Sequence, residues 1–256
     1  MLKKHSFLLL LLIAFATSCV SNKDLVYLQN DNFSKDKPYP VTTEKFIYKI
    51  QPNDVLSIKV QSIQPEISSI FNISNSPNQL GNSDPGFLFL NGYSVDESGS
   101  INLPTVGTVK VAGLTVNDAQ KTVQQHIDRY IKNANVIVKL TSFRVTVLGD
   151  VRRPGQYYIF NEKATILEGL ALAGDIDQSG NRKMVKLIRP TASGSEVVLL
   201  DLTDPNLMQS KYYYLLPNDA IYVQPLSSYT RRNNLTLLGV VFSGITTLVL
   251  IYNTFK

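Results

Sequence analysis

Phe46-Ile47-Tyr48-Lys49-Ile50-Gln51-Pro52-Asn53-Asp54-Val55-Leu56-Ser57-Ile58-Lys59-Val60 places alternating apolar residues on both sides of a Pro-Asn-Asp corner. Alternation with period two marks half-buried strands, and Pro-Asn-Asp joins a preset φ to residues that tolerate tight turns. The stretch predicts a strand, a turn and a strand. The corner returns as Leu215-Leu216-Pro217-Asn218-Asp219-Ala220-Ile221-Tyr222-Val223. Two copies between β-type runs predict two modules, each built on this corner.

Outward from the first corner, residues 61–92 are rich in Ser, Asn, Pro and Gly, with one apolar island at residues 87–90. A connection of this length predicts a mobile insertion. Order resumes with a β-type run at residues 93–96, a Ser98-Gly99 turn, a second run through Leu103-Pro104, a Gly107 turn and residues 109–111 up to Gly113. Thr115 with Asp118 is a capping-box-like helix start. Ala119, Val123, Ile127, Tyr130 and Ile131 then predict one buried helix face, and residues 136–140 the next strand.

The second module opens at Arg144-Val145-Thr146-Val147-Leu148-Gly149-Asp150-Val151 and turns at Arg152-Arg153-Pro154-Gly155. Residues 157–160 pair back as a hairpin arm. Thr165-Ile166-Leu167-Glu168 is a capping box, and Gly174 is placed to close that helix in the left-handed conformation. Residues 185–188, 197–200 and 220–223 complete a small mixed sheet. Hairpin, helix and further strands follow the order of a β-grasp unit. The fold class expected is α+β.

The ends carry different signals. Lys3 and Lys4 precede an apolar run at residues 7–16, and Ala16-Thr17-Ser18 leads to Cys19, the only cysteine. This is the pattern of a cleaved secretory signal ending on an acylated cysteine, so residues 1–19 are expected to leave Cys19 as a lipidated first residue. Polar residues 20–45 read as a tether. At the other end, residues 235–252 contain no charge. As a helix they reach about 27 Å, enough for a thin bilayer. A membrane helix over 233–254 is therefore expected. Thr236, Gly239, Ser243, Thr246, Thr247 and Thr254 form a small or weakly polar stripe on it, interrupted by Leu250. Such a stripe suits a neighbouring helix or a wet lumen better than lipid.

Catalytic chemistry is hard to place. Without residues 1–19 the chain has 23 basic and 20 acidic residues, too balanced to point to nucleic acid. Acylation of Cys19 leaves no thiol for disulfides or nucleophilic attack. His126 becomes the only histidine and neighbours the core residue Ile127, which suits a solvated rim better than a metal site. Asp96 and Glu97 flank a turn. Arg152 and Arg153 beside Pro154-Gly155 read as an exposed turn rather than an anion site. No phosphate-cradling loop is present, and no cofactor or metal is expected.

These residues resemble a known family. Tyr48-x-Ile50-x-Pro52-x-Asp54-x-Leu56-x-Ile58 is similar to the opening motif of the polysaccharide biosynthesis/export domain, where Gly-Asp commonly stands at Asn53-Asp54. Val95-Asp96 through Gly99, Ile101, Leu103-Pro104 and Gly107, with Gly113-Leu114-Thr115, resembles the rest of it. Gly149-Asp150-Val151, Pro154-Gly155 and Ala171-x-Ala173-Gly174 resemble the SLBB domain, a β-grasp fold. The resemblance implies an export domain at 46–140 with an insertion at 61–92, an SLBB domain at 144–225 and the helix at 233–254. Wza-type members of the family are outer-membrane lipoproteins whose rings pass capsule or exopolysaccharide and whose C-terminal helices line the exit. A homo-oligomeric ring is implied, with its body in the periplasm. The polysaccharide, membrane lipid and an inner-membrane co-polymerase or tyrosine kinase are the implied partners. The motif residues Tyr48, Asp54, Gly99, Pro104, Gly107, Gly113, Gly149, Pro154, Gly155 and Gly174 are then structural. The competing reading is a membrane-anchored glycan-binding lipoprotein.

Overall fold

A computed structural model describes residues 25–43, 47–73, 85–191 and 193–254, so the signal sequence and Cys19 lie outside the described residues. The first unit is organised by β1 (Val55–Gln61), which pairs antiparallel with β2 (Tyr93–Ser94) and with β5 (Asn135–Leu140). The long pairing runs from Leu56↔Leu140 to Gln61↔Asn135. Leu56, Ile58 and Val60 share one face of β1 and are buried with Val136 and Val138. Helix α3 (Val116–Ile127) supplies Ala119, Val123 and Ile127 to this core, and the hairpin β3 (Ser100–Leu103) and β4 (Gly107–Lys110) adds Ile101, Leu103 and Val109.

Several expectations change here. The arm before the first corner is not a strand: Ile50 N–H donates to Leu114 O and Gly113 N–H to Ile50 O, so it pairs with a loop. Helix α3 ends at Ile127, and Tyr130, past that end, is exposed rather than buried. Within 61–92, α1 (Pro65–Ser69) and α2 (Pro85–Leu90) form, and Phe71 is buried. Asn72 bonds both the N–H and the C=O of Val60, acting as a short strand partner.

The second unit is a five-stranded mixed sheet ordered β7-β6-β10-β8-β9, comprising β6 (Arg144–Gly149), β7 (Gly155–Tyr158), β8 (Gly180–Thr191), β9 (Gly194–Leu200) and β10 (Ala220–Pro225). Strand β10 runs parallel to β6 and antiparallel to β8. Parallel pairing needs a crossover, which here includes α4 (Ile166–Leu172) and the β8–β9 hairpin. Val145, Val147, Ile221, Val223, Val185 and Leu187 are buried against Ile166 and Leu170. Helices and antiparallel strands segregate within each unit, which agrees with an α+β class at the level of mixed architecture.

The N-terminal segment contacts the second unit before the chain enters the first. Leu28 N–H donates to Leu202 O at 3.0 Å and Gln29 N–H to Thr203 O at 2.7 Å. The Tyr27 ring lies 5.2 Å from the buried Arg182 guanidinium, and its hydroxyl donates to Asp175.

Helix α5 (Ser227–Thr254) continues from β10. The membrane-crossing expectation for 233–254 is corrected: among the described residues, no helix is long and apolar enough to cross a membrane. Its first turns carry Ser227, Arg231, Arg232, Asn233 and Asn234, and Ser243, Gly244, Thr246 and Thr247 dilute its apolar run. It is nonetheless an exposed apolar helix, with Val240, Phe242, Leu248 and Leu250 each about two-thirds exposed.

Candidate functional site

Among the described residues, the repeated corners are well-developed polar arrangements. In each, the Asn takes a positive φ, 71° at Asn53 and 67° at Asn218, as the third residue of a type II turn requires. The turn closes from Asp54 N–H to Gln51 O at 3.2 Å and from Asp219 N–H to Leu216 O at 3.1 Å. Each carboxylate then reaches back to the first residue of its own turn, accepting from Gln51 N–H at 2.9 Å and Leu216 N–H at 2.7 Å.

Beyond that shared core the two differ. Asp54 accepts from the Tyr48 hydroxyl at 2.7 Å and the Ser142 hydroxyl at 3.2 Å. Asp219, fully buried, is held by Arg189 through Nε at 3.0 Å and Nη2 at 2.7 Å. Arg189 also donates to Tyr214 O. Burial pushes both carboxyls above the ordinary range. The Gln51 amide and the Tyr48 and Ser142 hydroxyls pull Asp54 back in part, as Arg189 and the Leu216 amide do for Asp219. Burial also raises the Tyr48 hydroxyl, and the Asp54 charge adds to it. Sequence reasoning placed Tyr48 and both aspartates but missed Ser142 and Arg189. An arginine directly after the apolar run of residues 185–188 was the available signal, since a strand cation beside core residues needs a partner.

The remaining motif residues shape turns. Gly149, at φ +89°, lies where an added Cβ would stand 2.0 Å from Val223 O, so the β6–β10 contact requires glycine. Gly99 closes the Asp96 turn, in which Asp96 accepts from Ser98 and Ser100. Those bonds, Ser98 first, hold its carboxyl below the usual range in an exposed turn with no acid/base partner. Pro104 and Gly107 sit at the β3–β4 turn, Gly113 at the loop meeting Ile50, and Gly174 just past α4. Pro154 and Gly155 lead into β7, and Tyr157 donates to Arg153 O across the same turn.

On α5, the threonine hydroxyls are satisfied by the helix itself: Thr246 donates to Phe242 O at 2.7 Å, and Thr247 to Ser243 O at 2.8 Å. Gly239 has open space around it, and Thr236's side chain lies outside the described residues. The described threonines of the stripe are therefore bonded to the helix's own carbonyls.

A cleft of about 500 Å³ opens between the end of β7 and α4, with Tyr158, Phe160, Ala164 and Leu172 among its walls. Its one carboxylate, Glu168, is occupied by the N–H and hydroxyl of Thr165 in the capping box. This leaves no convergent acid/base pair in the cleft.

The chain's similarity to known proteins agrees with this structural character. The family model described as polysaccharide biosynthesis/export protein matches residues 43–141, the stretch that folds as the first unit. Over residues 43–141 the chain is thus similar to polysaccharide biosynthesis/export domains. The EPS I polysaccharide export outer membrane protein EpsA of Ralstonia nicotianae is 31% identical over 157 residues, covering 59% of this chain and 40% of that protein. The EpsA of Ralstonia solanacearum is likewise 31% identical, over 158 residues, covering 56% of this chain and 39% of its own. The polysialic acid transport protein KpsD of Escherichia coli is 31% identical over 164 residues, 62% of this chain and 28% of that one. The matches span well under half the length of these relatives. The matched residues include Tyr48, Asp54, Gly99, Pro104, Gly107 and Gly113, and the second corner lies beyond them.

Proposed function

We propose that this chain is a non-enzymatic subunit of an outer-membrane polysaccharide export assembly. The export-domain match over 43–141 carries this reading. Relatives named for exopolysaccharide export and polysialic acid transport support it. In this reading Cys19 is lipidated, both domains stand in the periplasm, and copies assemble as a ring whose passage carries capsule or exopolysaccharide. The second unit serves as an SLBB-type β-grasp domain: its hairpin, helix and parallel β10 beside β6 support that assignment. The periplasmic mouth would meet an inner-membrane co-polymerase or tyrosine kinase.

The exposed helix α5 supports assembly. Seven apolar side chains between Val240 and Tyr252 stand about half or more exposed, more than a monomer leaves uncovered on one helix without a partner. In the assembly they meet neighbouring copies of the helix. The test is a deletion strain complemented with the wild type, Cys19→Ala, or a chain lacking residues 227–256. Surface polymer should return only with the wild type, while both variants accumulate polymer in the periplasm. Normal surface polymer in the deletion strain itself would sink the reading. Particles without a ring, together with polymer binding, would favour the anchored glycan-binding protein.

A further inference from the structure

The two corners are far apart in sequence, yet the first holds Ser142, in the short segment between the domains, and the second holds Arg144, where that segment becomes β6. From one side, Ser142 stands between Asp54 and Val55: its hydroxyl donates to Asp54 Oδ1 at 3.2 Å and accepts Val55 N–H at 3.1 Å. Thr141 adds its N–H and its hydroxyl to Val55 O, at 2.9 and 3.0 Å. From the other side, Asn218 donates its N–H to Arg144 O at 2.8 Å and accepts Arg144 Nε at 3.1 Å. Leu140 just before this segment packs against both cores, and Phe143 within it is buried in the second. Each residue from 140 to 144 is thus held by one domain, the other, or both.

We propose that the two corners work together as a brace that fixes the angle between the export domain and the second domain. A linker of this length would ordinarily leave two small domains free to reorient, since interfaces between domains of one chain are commonly modest and mobile. Here Ser142 bonds to Asp54 and Val55 at the first corner, Thr141 to Val55, Phe143 O accepts Ile159 N–H, and Arg144 bonds Asn218 at the second. The Lys139–Glu162 pair across the domains, at 3.9 Å with both side chains more than half exposed, adds little to this. Each aspartate rigidifies its turn; the first turn then holds Ser142 of the linker, and the second holds Arg144 at the start of β6. The proposal concerns the shape of the single chain and does not rest on the export reading, so either can fail alone.

The test measures the distance between the domains in the full chain. Lys121, on α3, and Val197, on β9, are well exposed and are each replaced by cysteine for spin labelling, with Cys19→Ser removing the only other thiol. The parent should show one narrow distance. Ser142→Ala combined with Asn218→Gly, which keeps the positive φ, should broaden the distribution about twofold and speed Val55 amide exchange about fivefold, the loss of one ordinary hydrogen bond. Ser142→Thr, which retains the hydroxyl, should keep the distance narrow. Thr165→Ala weakens the second domain through its helix cap without touching the brace, and it should also leave the distance narrow. A distribution in the double variant as narrow as the parent's overturns the proposal, as does equal broadening by Thr165→Ala. If the double variant does not fold, Ser142→Ala alone decides in the same way.

Discussion

Asp54 and Asp219 perform one local task with different supports, and the difference predicts different responses. Asp219 has no exposure and a two-point arginine partner, so Arg189→Leu strands a buried carboxylate. The expected loss is about 3 kcal/mol by urea unfolding in detergent, and Asp219→Asn in the same chain should recover part of it. A loss under about 1 kcal/mol would show that Asp219 stays neutral or solvated. Asp54 has only neutral partners, and its folded carboxyl lies above the ordinary 3.8. The native state therefore holds this proton more tightly than the unfolded chain. Its stabilising contribution is complete below 3.8 and is lost as pH rises through the folded value. The stability of the wild type relative to Asp54→Asn should fall as pH rises above 3.8 and through the folded value. A difference that stays flat or rises over that window would contradict the assignment. Both aspartates and their turns were legible from residues 51–54 and 216–219. Ser142 and Arg189 were not, because they meet the corners only after the chain has folded back across 88 and 30 positions.

Elements defined by local chemistry were the most readable. The Thr165 box forms with both reciprocal bonds, and Thr115 accepts from Asp118 N–H as its spacing predicts. Thr165→Ala should cost about 1 kcal/mol in unfolding free energy. Gly149→Ala should cost more, above about 2 kcal/mol, because it combines strain at φ +89° with a Cβ driven into Val223 O. A neutral result in thermal melts would mean that β6 and β10 separate easily at that point. The arm at residues 47–50 misled because alternation reports which side chains are buried, not what pairs with the backbone, and its partner is the 113–114 loop. Tyr130 misled because helical spacing was carried past the last helical residue. On α5, alternation and length gave no guide to environment. There Ser243→Cys and Thr247→Cys, compared with Phe242→Cys and Leu248→Cys, should all be protected from a water-soluble thiol reagent if the stripe packs against neighbours. Selective labelling of 243 and 247 would place water along that side.

At the scale of the molecule, the order of segments in the sequence is not their order of attachment. Residues 27–29 are bonded to the second domain before the chain passes into the export domain and returns through residues 141–144. Tyr27→Ala, which removes the ring over Arg182 and the bond to Asp175, should release residues 25–29 from protection in hydrogen exchange while the export domain's amides keep theirs. Loss of protection across β1 and β5 would instead tie the segment to the whole fold. The second domain also receives the other end, since Leu226 N–H donates to Ser179 O where α5 begins. Tension applied between residue 25 and α5 would therefore run through residues 27–29, the five-stranded sheet and β10. The export domain would sit as a side loop on that line of force, mechanically shielded from a pull on either end of the chain.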